Sequence, residues 1–182
     1  MGNLFDNNSG ADFSNDGKHR YRLWRKWDNS LPIAMCIGLN PSTANSEKND
    51  ATIRILILML KKLGYGGFYM MNCWAYITSK PKEVLENVTV VDFCINNEGL
   101  KVMAEKCDDV IFAWGDFPII KKTGRDKDLI KLFPNAKCFG KSKSGSPLHP
   151  LAMSQRNGRN PNEPELFLFS EGREKVFNKK DD

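Results

Sequence analysis

Histidine is scarce in this chain of 182 residues, which carries only His19 and His149. A tetrahedral His/Cys zinc site has little to build on with so few. The five cysteines are odd in number and none forms a Cys-x-x-Cys pair, while Cys36, Cys73 and Cys138 sit in or beside apolar runs. They read as reduced core thiols rather than a disulfide framework. No structural metal and no cofactor are expected. Long hydrophobic runs are also missing: none approaches the ~20 apolar residues of a membrane-spanning helix. Met1 to Asp16 is polar and acidic where a secretory leader would be basic and then apolar. An intracellular, soluble, cytoplasmic protein with no membrane partner is expected. No internal repeat is visible.

The net charge of +5 is modest, but it is unevenly spread. Residues 117–160 hold Lys121, Lys122, Arg125, Lys127, Lys131, Lys137, Lys141, Lys143, Arg156 and Arg159 against Asp126 and Asp128, a net of +8. The rest of the chain sums to −3. Such a stretch suits a polyanionic partner, and it equally describes a solvated lysine-rich helix face.

The length suits one well-buried core. Residues 1–17 read as a flexible arm, residues 18–170 as a single α/β domain and residues 171–182 as a charged tail. His19 to Trp27 alternates, with Tyr21, Leu23, Arg25 and Trp27 on one side, which predicts a strand at or near a sheet edge. Four apolar runs follow: Ile33 to Leu39, Phe68 to Met71, Val110 to Trp114 and Ala136 to Phe139. Each reads as a buried strand. Asp50 to Leu63 places Ile53, Leu56, Ile57, Leu60 and Leu63 on one helical face, with Lys61 and Lys62 in the last turn and Gly64 as the stop. Further helices are predicted over Val91 to Cys107 and Asp126 to Leu132, and a last short strand or helix over Glu165 to Ser170. The stretch between Phe139 and Pro164 has no period and reads as a long loop. Alternating strands and helices predict a three-layer αβα fold around a largely parallel sheet.

In an open parallel sheet, ligands bind beyond the carboxyl ends of the strands, where loops converge and helix N-termini present unpaired N–H groups. The first strand runs into Gly38-Leu39-Asn40-Pro41-Ser42-Thr43, the second into Asn72, and the third into Trp114-Gly115. The fourth leads to Ser144-Gly145-Ser146-Pro147-Leu148-His149-Pro150. Two amides and a histidine thus converge on one rim. Each has a plainer reading: Asn40-Pro41 as a turn, Asn72 as a strand terminus or helix cap, His149 as a packed loop residue. Asp50 and Arg54 lie one turn apart, so they suit either an i,i+4 salt bridge or a place in the site.

The segments RYRLWRKW, IGLNPSTA with NDATIR, the strand ending in Asn72, FAWG and GSPLHPL resemble the domain-of-unknown-function family 1643 across roughly residues 19–155. Their order also resembles the uracil-DNA glycosylase-like superfamily. There a strand runs into a Gly-x-(Asp/Asn)-Pro loop and a His-Pro loop closes the series. The resemblance implies that Gly38, Asn40 and Pro41 form the first motif in its Asn version, and that Asn72 reads the base edge. It implies that Trp114 and Gly115 end the third strand beside the base, and that Met153 stands where an apolar wedge enters the base stack. The sequence departs from the superfamily in having no Asp at the first motif, Ser42 in place of a bulky Tyr, and Ala152 in place of the second Pro of the last loop.

Hydrolysis of an N-glycosidic bond needs a base held outside the stack, a stabilised leaving group and a positioned water. On this reading Asn40 orients water and His149 donates to the oxygen that gains charge. Asn72, Ser42 and Trp114 hold the base, and Thr43, Arg54, Ser146, Met153, Arg156 and Arg159 meet phosphate or DNA. Gly38, Pro41, Asp50 and Gly115 support them. Ser42 either leaves the pocket open to a base enlarged at the 5-position or caps the following turn. An amide is no general base, so two functions remain open. One is a DNA glycosylase-like hydrolase of DNA repair or modification acting on a modified or mismatched pyrimidine. The other is a non-catalytic module that binds a nucleotide, modified base or nucleic acid.

Overall fold

The computed structural model describes residues 8–153 and 159–170. Its centre is β3, Ile33–Gly38, whose six residues are apolar or glycine and so can be covered on both faces. Ala34 and Cys36 face one layer, Met35 and Ile37 the other, as the two-residue period of a strand requires. β3 pairs in parallel with β4, Gly67–Asn72, on one side and with β5, Asp109–Phe112, on the other. β5 pairs in parallel with the short β6, Lys137–Cys138. Three antiparallel strands extend this parallel core at its edges: β1, Ser9–Phe13, and β2, Arg20–Lys26, beyond β4, and β7, Phe167–Leu168, beyond β6. The sheet order is β1-β2-β4-β3-β5-β6-β7.

Helices cover both faces. The first face is covered by α1, Ala51–Lys62, which buries Ile53, Leu56, Met59 and Leu60 at helical spacing. Asp50 caps its start by accepting the Ile53 N–H at 2.9 Å, and Gly64 follows its end at φ +83. The second face is covered by α2, Val84–Asn87, α3, Val90–Ala104, α4, Pro118–Thr123, and α5, Arg125–Leu132. Thr89 and Asp92 start α3 with a reciprocal capping box. The class is therefore α/β, with a mixed sheet whose central four strands are parallel.

Several elements differ from the sequence-based expectation, each for a local reason. Ser9–Phe13 lies within the stretch read as a flexible arm, yet it forms β1: its backbone pairs antiparallel with β2, Asp12 pairs with Arg22 and Ala11 packs against the core. Residues 1–7 and the expected tail at 171–182 lie outside the described residues. β2 lies near the sheet edge, as expected, with β1 outside it. Its alternation, however, breaks: pairing with β1 runs Asp12↔Arg22 and then Phe13↔Arg20, which skips Tyr21. Such a bulge turns the following side chain to the other face, so Arg20 and Leu23, three apart, are both buried together with Arg25. The six residues of α4 are too few to show a helical period.

Candidate functional site

At the carboxyl ends of β3 and β4 lies a cleft of about 140 Å³. Its walls include Gly38, Asn40, Ser42, Asp50, Asn72 and His149. The three residues expected on one rim thus do share one cleft. The volume is roughly ten times the ~10–15 Å³ a single water needs and well under the ~300–1,000 Å³ of a drug-sized site, so a small planar ring suits it.

Asn72 ends β4 directly opposite Gly38. Its side chain is 1% exposed, and neither Oδ1 nor Nδ2 has a hydrogen-bond partner among the described residues. Leaving a buried polar group unmatched costs about 1–3 kcal/mol. The Asn72 backbone carbonyl, by contrast, accepts from the Asn96 Nδ2 at 3.1 Å, so α3 anchors the strand end while the side chain is left open to the cleft. Gly38 is what makes room: a Cβ there would stand 3.1 Å from the Asn72 Oδ1 and would collide with the Met70 side chain.

Asn40 is committed on one side. Its Nδ2 donates to the Thr78 carbonyl at 2.7 Å and the Pro41 carbonyl at 3.0 Å, which ties the loop after β3 to the loop after β4. Only Oδ1 of that amide is left to meet a ligand or a water. His149 is half-buried, and its Nδ1 accepts the Leu151 N–H at 3.2 Å. The neutral ring therefore carries its proton on Nε2, a donor for the cleft. Burial lowers the His149 pKa from its ordinary value, with the Asp50 charge opposing, so the neutral form is favoured. Gly115, at φ +82, lets the chain pass: a Cβ there would stand 2.9 Å from the His149 Cβ.

Two basic residues that the sequence does not single out position the α1 side of the cleft. Arg20, 3% exposed, lines the cleft and donates from Nη1 to the Ala44 carbonyl at 2.6 Å, while its Nε has no partner among the described residues. Arg25 donates from Nε to the Asn49 Oδ1 at 2.8 Å and from Nη2 to the Asn45 carbonyl at 2.7 Å. Together they hold residues 44–49, the segment that delivers Asp50. Burial lowers the Arg20 pKa to about 10, against the raising effect of Asp50. The bulge at Tyr21 hides the signal for Arg20. Thr52, within the NDATIR segment, and Thr78 and Phe117, which no motif marks, also line the cleft.

Other candidates stand elsewhere. Trp114, expected to bind the base, is 1% exposed in the core beside α3 to α5, with its ring 4.5 Å from that of Phe112. Two residues beyond Phe112, it shares that residue's face, whereas Asn72 shares the α1 face with Phe68 and Met70. Met153, expected as a wedge, is packed in the α1-side core with Leu148 and Phe139. Ser146 is buried and donates to Asp116 at 3.1 Å, away from the cleft lining. Arg54 is exposed and donates to the Asn49 carbonyl at 2.6 Å; no ion pair joins it to Asp50 among the described residues. Thr43 is exposed and does not line the cleft, and Pro41 is buried, its carbonyl receiving the Thr78 N–H at 3.1 Å. Arg159 donates to the Ala152 carbonyl at 3.4 Å, and Arg156 lies outside the described residues.

The basic stretch is also partly internal. Arg125 is 1% exposed, donates from Nε to the Cys73 carbonyl at 3.0 Å and stacks over Phe93. Lys137 pairs with Asp109 at 2.6 Å. Lys122, Lys127, Lys131 and Lys143 are exposed. No helix among the described residues is long and apolar enough to cross a membrane.

These features define an α/β protein with a small polar cleft where parallel strands end. The family model described as "Protein of unknown function (DUF1643)" matches residues 20–151, a span that holds every residue lining the cleft. The chain belongs to that family. No curated protein and no solved structure matches it.

Proposed function

We propose that the protein recognises a base in DNA and acts as a DNA glycosylase-like hydrolase on a modified or mismatched pyrimidine, on a uracil-DNA glycosylase-like fold. One observation carries the reading: the buried Asn72 amide, whose donor and acceptor both lack partners among the described residues, lines the same cleft as His149. A pyrimidine edge offers the complementary pair, and a flipped base is read in this way by edge hydrogen bonds inside a snug pocket. The His149 Nε2–H is then the donor for a ring oxygen that gains charge as the bond to the sugar breaks. Exposed lysines such as Lys143, on the loop leading to His149, supply phosphate contacts.

A second reading is favoured by Asn40. Its Nδ2 is used to join two loops, and an amide takes no proton from water, so the cleft would bind a nucleotide, modified base or nucleic acid without turnover. The two readings separate on duplex oligonucleotides carrying uracil, 5-hydroxymethyluracil or a G·T mismatch. Release of free base with an abasic site supports the hydrolase. Retention of the duplex without release supports the binding module, and neither result on any of the three contradicts both.

A further inference from the structure

We infer that Asp50 is the residue that accepts the proton of the attacking water. This assignment rests on the hydrolase reading above. It follows from what the other groups lining the cleft can and cannot do.

Of the described residues around the cleft, Asp50 is the one carboxylate. The amides of Asn40 and Asn72 are not bases, the Ser42 and Thr52 hydroxyls are weak ones, and the Arg20 guanidinium stays protonated. His149 is the usual general base, but its Nδ1 lone pair already accepts the Leu151 N–H, and Nε2 carries the remaining proton. Asp50 keeps basic lone pairs: Oδ1 accepts the Ile53 N–H at 2.9 Å, which fixes the carboxylate, and Oδ2 remains. Arg20 and His149 line the same cleft as Asp50. The two arginines hold the backbone of residues 44–49 leading to this carboxylate, and the start of α1 fixes it.

The step balances without any further reactant. The sugar C1′–N bond breaks and its electron pair leaves with the base, where the His149 Nε2–H hydrogen-bonds the oxygen that gains charge. Water oxygen forms the new bond to C1′, and the proton it loses passes to Asp50. That proton then returns to the departing base anion, so the products are the free base and an abasic sugar. Asn40 Oδ1 orients the water but takes no proton. Placing the carboxylate at a helix cap, rather than in the loop after β3, accounts for hydrolysis in a chain whose first motif carries an amide.

The test uses the full chain and single-turnover release of 5-hydroxymethyluracil from a duplex. Asp50→Asn and Asp50→Ser both retain a capping oxygen, so α1 keeps its start. Each should slow release by ~10²-fold or more, the scale of a lost general base, while duplex affinity and thermal midpoint stay near wild type. Added formate should restore part of the rate in Asp50→Ser and none in His149→Ala. Wild-type rates in both variants, or a loss that follows the thermal midpoint and ignores formate, would overturn the assignment and leave the hydrolase reading standing. A wild-type protein that releases no base from duplexes carrying 5-hydroxymethyluracil, uracil or a G·T mismatch removes the hydrolase reading itself, and Asp50's role with it.

Discussion

Gly38 and Asn72 stand directly opposite each other at the ends of β3 and β4, and the glycine leaves the space that the asparagine amide occupies. A methyl at position 38 would have to displace the Met70 side-chain end, which is flexible, and press on the Asn72 Oδ1 at 3.1 Å. Gly38→Ala should therefore fold normally and bind a base-bearing oligonucleotide about tenfold more weakly, a change of ~1.4 kcal/mol. Fluorescence anisotropy against the wild type measures it. Unchanged affinity would show that Asn72 does not meet the ligand.

His149 yields a pH prediction with a definite sign. Burial holds its pKa below the ordinary 6.5. The unfolded chain then binds this proton more readily than the folded one. Stability from this group is thus complete above pH 6.5 and is lost as pH falls through the lower, folded value. A proton-detected titration of the ring, simplified by there being only two histidines, should place His149 below 6.5. A value above it would contradict the neutral Nε2–H donor. His149→Ala should reduce any turnover by ~10²-fold or more.

Ser42 is exposed, lines the cleft and does not cap α1, which Asp50 does. It is thus free to form an open wall, and Ser42→Tyr should narrow the accepted bases. Wild-type protein should accept 5-hydroxymethyluracil at least as well as uracil, and the Tyr variant should reject the larger base. Strict uracil preference in the wild type, or no narrowing in the variant, would show that position 42 is not the wall.

The electrostatic footprint should be smaller than the sequence count of charges. Binding to DNA should weaken with salt, and Lys143→Glu should reduce the log–log slope by about 0.9 for each phosphate left without its cation. Arg125→Met should leave that slope unchanged, because Arg125 is internal and bonded to the Cys73 carbonyl. A change in slope from Arg125→Met would contradict its burial.

Much of this is legible in the sequence. The runs around Ile37, Met71 and Phe112 are apolar on both faces, which marks central strands, and the Ile53, Leu56 and Leu60 spacing with Asp50 in front marks α1. Because ligands bind where the strands of such a sheet end, the sequence brings Asn40, Asn72 and His149 to one rim, although each alone also reads as a turn, a cap or a packed loop residue. What stays hidden depends on facing rather than position. Trp114 lies two residues past the end of β5 while Asn72 ends β4, and the two face opposite layers, which motif likeness does not distinguish. Arg20 falls opposite Leu23 in a strict alternation, which has no mark for one skipped residue. β1 carries only the short alternation Ala11, Phe13, too little to read as a strand, and its place is set by pairing with β2 and the Asp12–Arg22 contact.

The central claim is that the Asn72 amide is kept unmatched for a ligand, and Asn72→Leu tests it most directly. Leucine has a similar shape and removes two buried polar atoms that lack partners among the described residues. Thermal unfolding of the ligand-free variant should therefore show equal or higher stability, by up to ~1–3 kcal/mol, because a desolvation cost is removed. Binding to duplexes carrying uracil or 5-hydroxymethyluracil should fall to the level of an undamaged duplex. Marked destabilisation of the variant with base discrimination retained would contradict the account, since Asn72 would then serve the fold and not the ligand.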